Sequence, residues 1–84
     1  MQKLKGKKVI VTGAGSGIGK AIAKRFAEEE TLIAVCDVNL EAVTLVAKEI
    51  EIIGAKALPY KVDVSSFTEV TETVKKIADN FGGI

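Results

Sequence analysis

The stretch Thr12-Gly-Ala-Gly-Ser-Gly-Ile-Gly19 constrains this chain more than any other feature. It follows Lys8-Val-Ile-Val-Thr12, a β-branched run that stops abruptly at glycines and reads as a buried strand. Beyond it, Ile18, Ala21, Ile22, Ala23 and Phe26 keep helical spacing from Gly17 to about Glu29. A glycine-rich turn leading from a strand into a helix is the setting that phosphate binding requires. Glycines there reach positive φ and let the backbone approach a ligand with no Cβ in the way. The unpaired N–H groups of the first helical turn then face an anion, and the helix dipole favours its negative charge. A flexible loop that binds nothing is the bland alternative.

The rest of the chain repeats the strand-then-helix alternation. Leu32 to Cys36 is a second apolar run, stopped by Asp37. Asn39 is placed to cap a second helix whose apolar stripe includes Leu40, Val43, Val46, Ala47 and Ile50, with Gly54 at its C-terminal cap. Lys56 to Val62 reads as a third strand, and Pro59 within it cannot donate to a ladder, so the strand belongs at a sheet edge. Ser66-Phe-Thr-Glu69 fits a capping box. The helix it opens carries Phe67, Val70, Val74, Ile77 and Phe81 on one face and ends at Gly82-Gly83. Three strands and three helices with connections too long for hairpins describe βαβ units. The expected fold is therefore α/β: a three-layer βαβαβα half of a doubly wound, Rossmann-type fold, with a parallel sheet in the order 3-2-1.

Composition narrows the function classes. At 84 residues, 48% of them hydrophobic and 27% charged, the chain suits one globular unit or a piece of one. A unit this short buries only about 60–65% of the surface its unfolded chain exposes, which leaves a thin stability margin. A net charge of +1 gives no electrostatic case for nucleic acid or a membrane surface. Lys3, Lys5, Lys7 and Lys8 crowd the start and read as a solvated lead-in to the first strand, with a phosphate-binding arm as the alternative. Cys36 is the one cysteine and falls in an apolar run, where a small buried core residue is expected. With no histidine and one cysteine a zinc site has no ligand set. No apolar run reaches the length of a membrane span, so a cytoplasmic protein is expected.

Three glycine-rich templates compete for residues 12–19. The common dinucleotide fingerprint G-x-G-x-x-G fails, since its last position falls on Ile18 or Lys20. The P-loop pattern nearly matches at Gly19-Lys20, but its first glycine would be Ala14 and its metal-binding hydroxyl Ala21. T-G-x-x-x-G-x-G fits throughout, on Thr12, Gly13, Gly17 and Gly19. That pattern resembles the cofactor motif of the short-chain dehydrogenase/reductase family, and the resemblance extends over essentially the whole chain. It implies that Gly13, Ser16, Gly17, Ile18 and Gly19 surround a dinucleotide pyrophosphate. Asp37 would hold the adenosine ribose hydroxyls, with a plain strand-ending turn aspartate as the alternative. Asp63 and Val64 match the family pair that meets the adenine, although Asp63 could instead serve helix-start electrostatics. Asn80-Phe-Gly-Gly-Ile84 resembles the family's lead into a fourth strand.

The resemblance also sets expectations about chemistry. The family's Asn-Asn-Ala-Gly element, catalytic Ser and Tyr-x-x-x-Lys pair do not occur in residues 1–84; the one tyrosine, Tyr60, has Val64 four positions on and reads as a surface or interface residue. No catalytic residue and no metal ligand is therefore expected within the chain. Residues 1–84 are expected to be the N-terminal part of a single NAD(P)-binding domain, inactive alone for want of an acid–base group. The full-length protein would move a hydride between NAD, preferred over NADP, and a small alcohol or carbonyl substrate, as a homo-oligomer. The NAD preference rests on Asp37 and on the uncharged Ser16 and Val38, where NADP-using relatives often carry a basic residue. A stand-alone adenine-nucleotide-binding module without catalysis is the alternative. Where relatives commonly have glycine, the first helix ends in Glu30.

Overall fold

A computed structural model describes residues 6–81. The elements follow in the order β1 (Lys8–Thr12), α1 (Gly17–Ala27), β2 (Leu32–Asp37), α2 (Leu40–Ile53), β3 (Lys56–Lys61) and α3 (Phe67–Phe81). The strands form one parallel sheet in the order β1-β2-β3, with Lys8 opposite Leu32 and Leu32 opposite Lys56. This is the expected half-fold. Pro59 pairs with Val35 on an edge strand, so its missing N–H costs no inner ladder bond. Lys3 and Lys5, the stop at Gly82-Gly83 and the lead into a fourth strand lie outside the described residues.

Strand alternation divides the core into two layers. Val11, Ile33, Val35 and Ala57 face α1 and α2, meeting Ala23, Ala27, Val43, Val46, Ala47 and Ile50. Ala34, Cys36 and Val62 face the other way and pack on Ile77 and Phe81 of α3, with Leu58, Tyr60 and Val70 at the margin. Each fully buried Val or Ile contributes about 1.5–3 kcal/mol, so the inner faces of α2 and β2 hold most of the stabilising area. Tyr60, read as a surface or interface residue, is half-buried, and its phenol oxygen accepts a 2.7 Å hydrogen bond from the Asn80 amide. A strand position facing α3 buries the ring while leaving its oxygen at the rim.

The apolar stripes depart from expectation at helix starts and, at Ile22 of α1 and Val74 of α3, in mid-helix. Phe67 is 85% exposed and Leu40 is also exposed, because each is the first residue of its helix and lies beyond the sheet it would cover. Thr73 takes a buried place on α3 that the apolar pattern did not include. On α1, Ile18 is 80% exposed and Ile22 is exposed as well; only Ala23 and Ala27 are buried there. That helix stops at Ala27 rather than near Glu29. The N–H groups of Glu28, Glu29 and Glu30 fall back to the carbonyls three residues earlier, tightening the end into a turn. Glu30 has φ 56, a left-handed conformation that costs a non-glycine residue about 1 kcal/mol. The buried Thr31 hydroxyl then donates to the Phe26 carbonyl at 2.9 Å and fastens the turn.

The caps of α2 and α3 behave differently. Asn39 caps α2 as expected, its side-chain oxygen accepting from the Ala42 N–H at 3.0 Å, and Gly54 closes the helix in the left-handed region at φ 110. Only half of the capping box at α3 forms. The Ser66 hydroxyl accepts from the Glu69 N–H at 3.3 Å, but the Glu69 carboxylate reaches past Ser66 to the Asp63 N–H, also at 3.3 Å. The Ser66 N–H is already taken by the Asp63 carbonyl at 3.0 Å, which leaves that carboxylate to find another donor.

Candidate functional site

Parallel pairing sets the carboxyl ends of all three strands side by side, with Thr12 opposite Cys36 and Asp37 opposite Lys61. The loop from Gly13 to Ser16 turns over this edge and is pinned there by the Ala14 N–H, which donates to the Cys36 carbonyl at 3.0 Å. Gly13 and Gly17 stand at φ 62 and 58, which a side chain would resist, so the turn needs glycine at both. Gly19 is required for a different reason. A Cβ there would run into the Gly13 carbonyl oxygen and lie 2.6 Å from its carbon, so the first turn of α1 can close on the loop only without one.

The start of α1 is chemically open. Ser16 is its N-cap with an extended backbone, yet its hydroxyl caps no N–H, and the first turn carries no acidic residue. The first-turn N–H groups have no partner within a helix. An exposed Ser16, Gly17 and Ile18 therefore present donors and the positive end of the helix dipole at the mouth of the loop. A cradle made largely of backbone, with no Cβ at residues 13, 15, 17 and 19 and no carboxylate in the first turn of the helix, suits an anionic group such as a pyrophosphate.

Asp37 closes one side of this cradle. Its half-buried carboxylate accepts from the Gly15 N–H at 2.9 Å through Oδ2 and from the Asn39 N–H at 3.3 Å through Oδ1. Its own carbonyl accepts from the Val62 N–H at 3.0 Å, joining the ends of β2 and β3. Asp63 follows, with Oδ1 taking the Ser65 hydroxyl at 2.6 Å and the Ser65 N–H at 2.9 Å. Those two bonds, the hydroxyl's foremost, hold the Asp63 carboxyl below its usual range. Val64 is exposed and lines an apolar cleft with Ile10, Thr12, Val62 and Val74 on the α3 side of the sheet. The loop and Asp37 are thus in direct contact, whereas Asp63 and Val64 stand along the same edge without touching the loop through any of these bonds.

Gly15 was not among the residues singled out in the sequence, since the motif leaves its position unspecified. The signal was present in the alternation of glycines from 13 to 19. Gly15 also lines an open groove between α1 and α2 with Lys20, Ala42, Leu45 and Glu49. Lys20 and Lys24 are both paired there with Glu49, at 3.6 and 3.0 Å, and the Lys24 bond leads in keeping the Glu49 carboxyl below its usual range. Cys36 lies beneath the site, 1% exposed, and burial pushes its thiol up to about 11, so it is no nucleophile at neutral pH. Among the described residues no cluster of side chains could hold a metal ion, and no helix is long and apolar enough to cross a membrane.

The sequence pattern that defines the short chain dehydrogenases matches residues 7–84. This chain belongs to that family. Among its relatives is a 3-oxoacyl-(acyl-carrier-protein) reductase of Thermotoga maritima, 35% identical over 82 residues that cover 98% of this chain and 33% of the relative. A hydroxysteroid dehydrogenase from Escherichia coli superposes with a TM-score of 0.92 at 36% identity, over 96% of this chain and 34% of that one. An oxidoreductase from Haemophilus influenza, whose crystal structure holds NAD, superposes with a TM-score of 0.89 at 39% identity, over 94% of this chain and 28% of that one. This short-chain dehydrogenase sequence therefore spans about a third, or less, of the length of the relatives it matches.

Proposed function

We propose that this chain is the NAD(H)-binding segment of an oxidoreductase acting on a small alcohol or carbonyl compound. The observation that carries the reading is the open helix start of α1 set beside the Asp37 carboxylate at the carboxyl edge of the sheet. The relatives support it: they are named as reductases and dehydrogenases, and one structure holds NAD. Gly13, Ser16, Gly17, Ile18 and Gly19 surround the pyrophosphate. Asp37 takes the adenosine ribose hydroxyls, and Asp63 with Val64 borders the adenine. The bound cofactor would accept the hydride from an alcohol or supply it to a carbonyl. The chain's own residues hold the adenosine and pyrophosphate and so fix where the nicotinamide end points.

Residues 1–84 form the N-terminal part of a single cofactor-binding domain in this reading. The substrate and the acid–base group lie with other residues of the intact protein, and the 84-residue chain alone turns nothing over. NAD(H) is preferred to NADP(H), because Asp37 would repel a 2′-phosphate and neither Ser16 nor Val38 offers a compensating cation. The lysines Lys20, at the start of α1, and Lys24, in its last turn, are engaged with Glu49. Calorimetric titration of the intact protein with NAD(H), NADP(H) and ADP-ribose is the test. The expected order is NAD(H) well ahead of NADP(H), with ADP-ribose retaining most of the affinity. Equal or tighter NADP(H) binding would overturn the preference, and binding of neither dinucleotide would overturn the function.

A further inference from the structure

Asp37 uses its two carboxylate oxygens on two different segments. Oδ1 accepts from the Asn39 N–H, two residues on, which is a local turn bond. Oδ2 reaches back across the edge of the sheet to the Gly15 N–H at 2.9 Å, in the middle of the glycine loop. Directly beside it, the Ala14 N–H is held at 3.0 Å by the carbonyl of Cys36. Two consecutive loop amides are thus tied to two consecutive β2 residues, one through main chain and one through a carboxylate. The approach is close: a Cβ on Gly15 would lie 2.8 Å from Oδ2 and 3.0 Å from the Ala42 Cβ.

We propose that Asp37 is a positioning residue for the phosphate-binding loop, holding Gly15 in place before any ligand arrives, in addition to the ribose contact assigned to it above. The inference rests on the cofactor reading for the ribose contact, while the tie to Gly15 is a property of the free chain. A loop rich in glycine loses much conformational freedom when it is ordered, and ordering it in advance removes that cost from binding. The bond that orders it is charge-assisted and half-buried, which makes it stronger than a neutral amide bond.

The consequence separates two substitutions that a pure ribose contact would not. In Asp37→Asn the side-chain oxygen still accepts from Gly15, but the charge that repels a 2′-phosphate is gone. In Asp37→Ala the acceptor is lost as well, and the loop is released. Asp37→Asn therefore keeps most of the loop's affinity for a ribose-free anion, and Asp37→Ala loses about tenfold of it. For the same reason Asp37→Asn binds NADP better than Asp37→Ala does, although alanine leaves more room.

The experiment uses the intact protein and its two variants. Inorganic pyrophosphate is titrated against the backbone amide shifts of residues 13–19, hydrogen exchange is followed at the Gly15 amide without ligand, and NAD and NADP are titrated by calorimetry. The expected result is a Gly15 amide protected in the wild type and in Asp37→Asn but fast in Asp37→Ala, with pyrophosphate affinity following the same order. Equal Gly15 exchange and equal pyrophosphate affinity in all three proteins would overturn the positioning role, and NAD binding by the wild type would then leave the cofactor reading standing. A wild type that binds neither pyrophosphate nor NAD would overturn both. Should Asp37→Ala fail to fold, Gly15→Ala serves in its place. Its added Cβ displaces the carboxylate from the residue 15 N–H without changing the charge, and wild-type protection of that amide together with wild-type pyrophosphate affinity in that variant would contradict the proposal.

Discussion

Ser65 acts on Asp63 much as Gly15 acts on Asp37: a nearby donor fixes a carboxylate at the edge of the sheet. Both the hydroxyl and the N–H of Ser65 bond the Asp63 oxygen, and the ionised form accepts them best. The folded carboxyl is therefore more acidic than in the unfolded chain. Whatever stability the turn contributes is present above the ordinary carboxyl range and is lost as the pH falls through the folded value. Ser65→Ala removes the larger cause, so Asp63 should titrate at higher pH in that variant, read by the NMR shift of its carboxyl carbon. No upward movement would mean that the hydroxyl bond does not hold in solution. Cys36 behaves oppositely. Its neutral thiol is favoured by burial, and that contribution is present below the free thiol's value of about 8.5 and lost as the pH rises toward about 11. At this scale the motif was legible where backbone geometry dictates a residue type, as at Gly13, Gly17 and Gly19. The pairing of Gly15 with Asp37 was not, because it joins residues 22 positions apart and sequence spacing says nothing of it.

Elements were legible through periodicity, and their ends less so. The β-branched runs and the caps at Asn39 and Gly54 located three strands and three helices to within a residue or two. Burial was misread at the first residues of α2 and α3, at Ile18 and Ile22 of α1 and at Val74 of α3, since a helical stripe records which side faces the core but not how far the covering beneath it extends. The contrast between Ile77 and Phe67 tests this directly. Both lie on the apolar stripe of α3, yet Ile77 is buried and Phe67 is exposed. Ile77→Ala should destabilise the protein by about 2–5 kcal/mol in denaturant unfolding. Phe67→Ala should change stability by about 0.5 kcal/mol or less, as exposed positions do. A large loss from Phe67→Ala would show that this ring is covered in solution.

Across the whole molecule, the sheet is better guarded on one side than on the other. β3 is an edge blunted by Pro59, while β1 pairs with β2 alone among the described strands. Of the β1 residues only Val11 is buried, and Ile10 is 36% exposed beside the cleft bordered by Val74. A free edge of Val9-Ile-Val11 invites strand pairing between molecules. The 84-residue chain studied alone should therefore self-associate or exchange amide protons readily along β1. Sedimentation with hydrogen exchange checks it, and a clean monomer with strong protection from Val9 to Val11 would contradict it. The central claim concerns the opposite end of the same strands. Amide shift mapping of the intact protein with NAD tests it most directly. The account predicts the largest changes at Gly13, Ser16 to Gly19, Asp37, Asp63 and Val64; saturating NAD that leaves these amides unmoved, or moves a different surface, would contradict it.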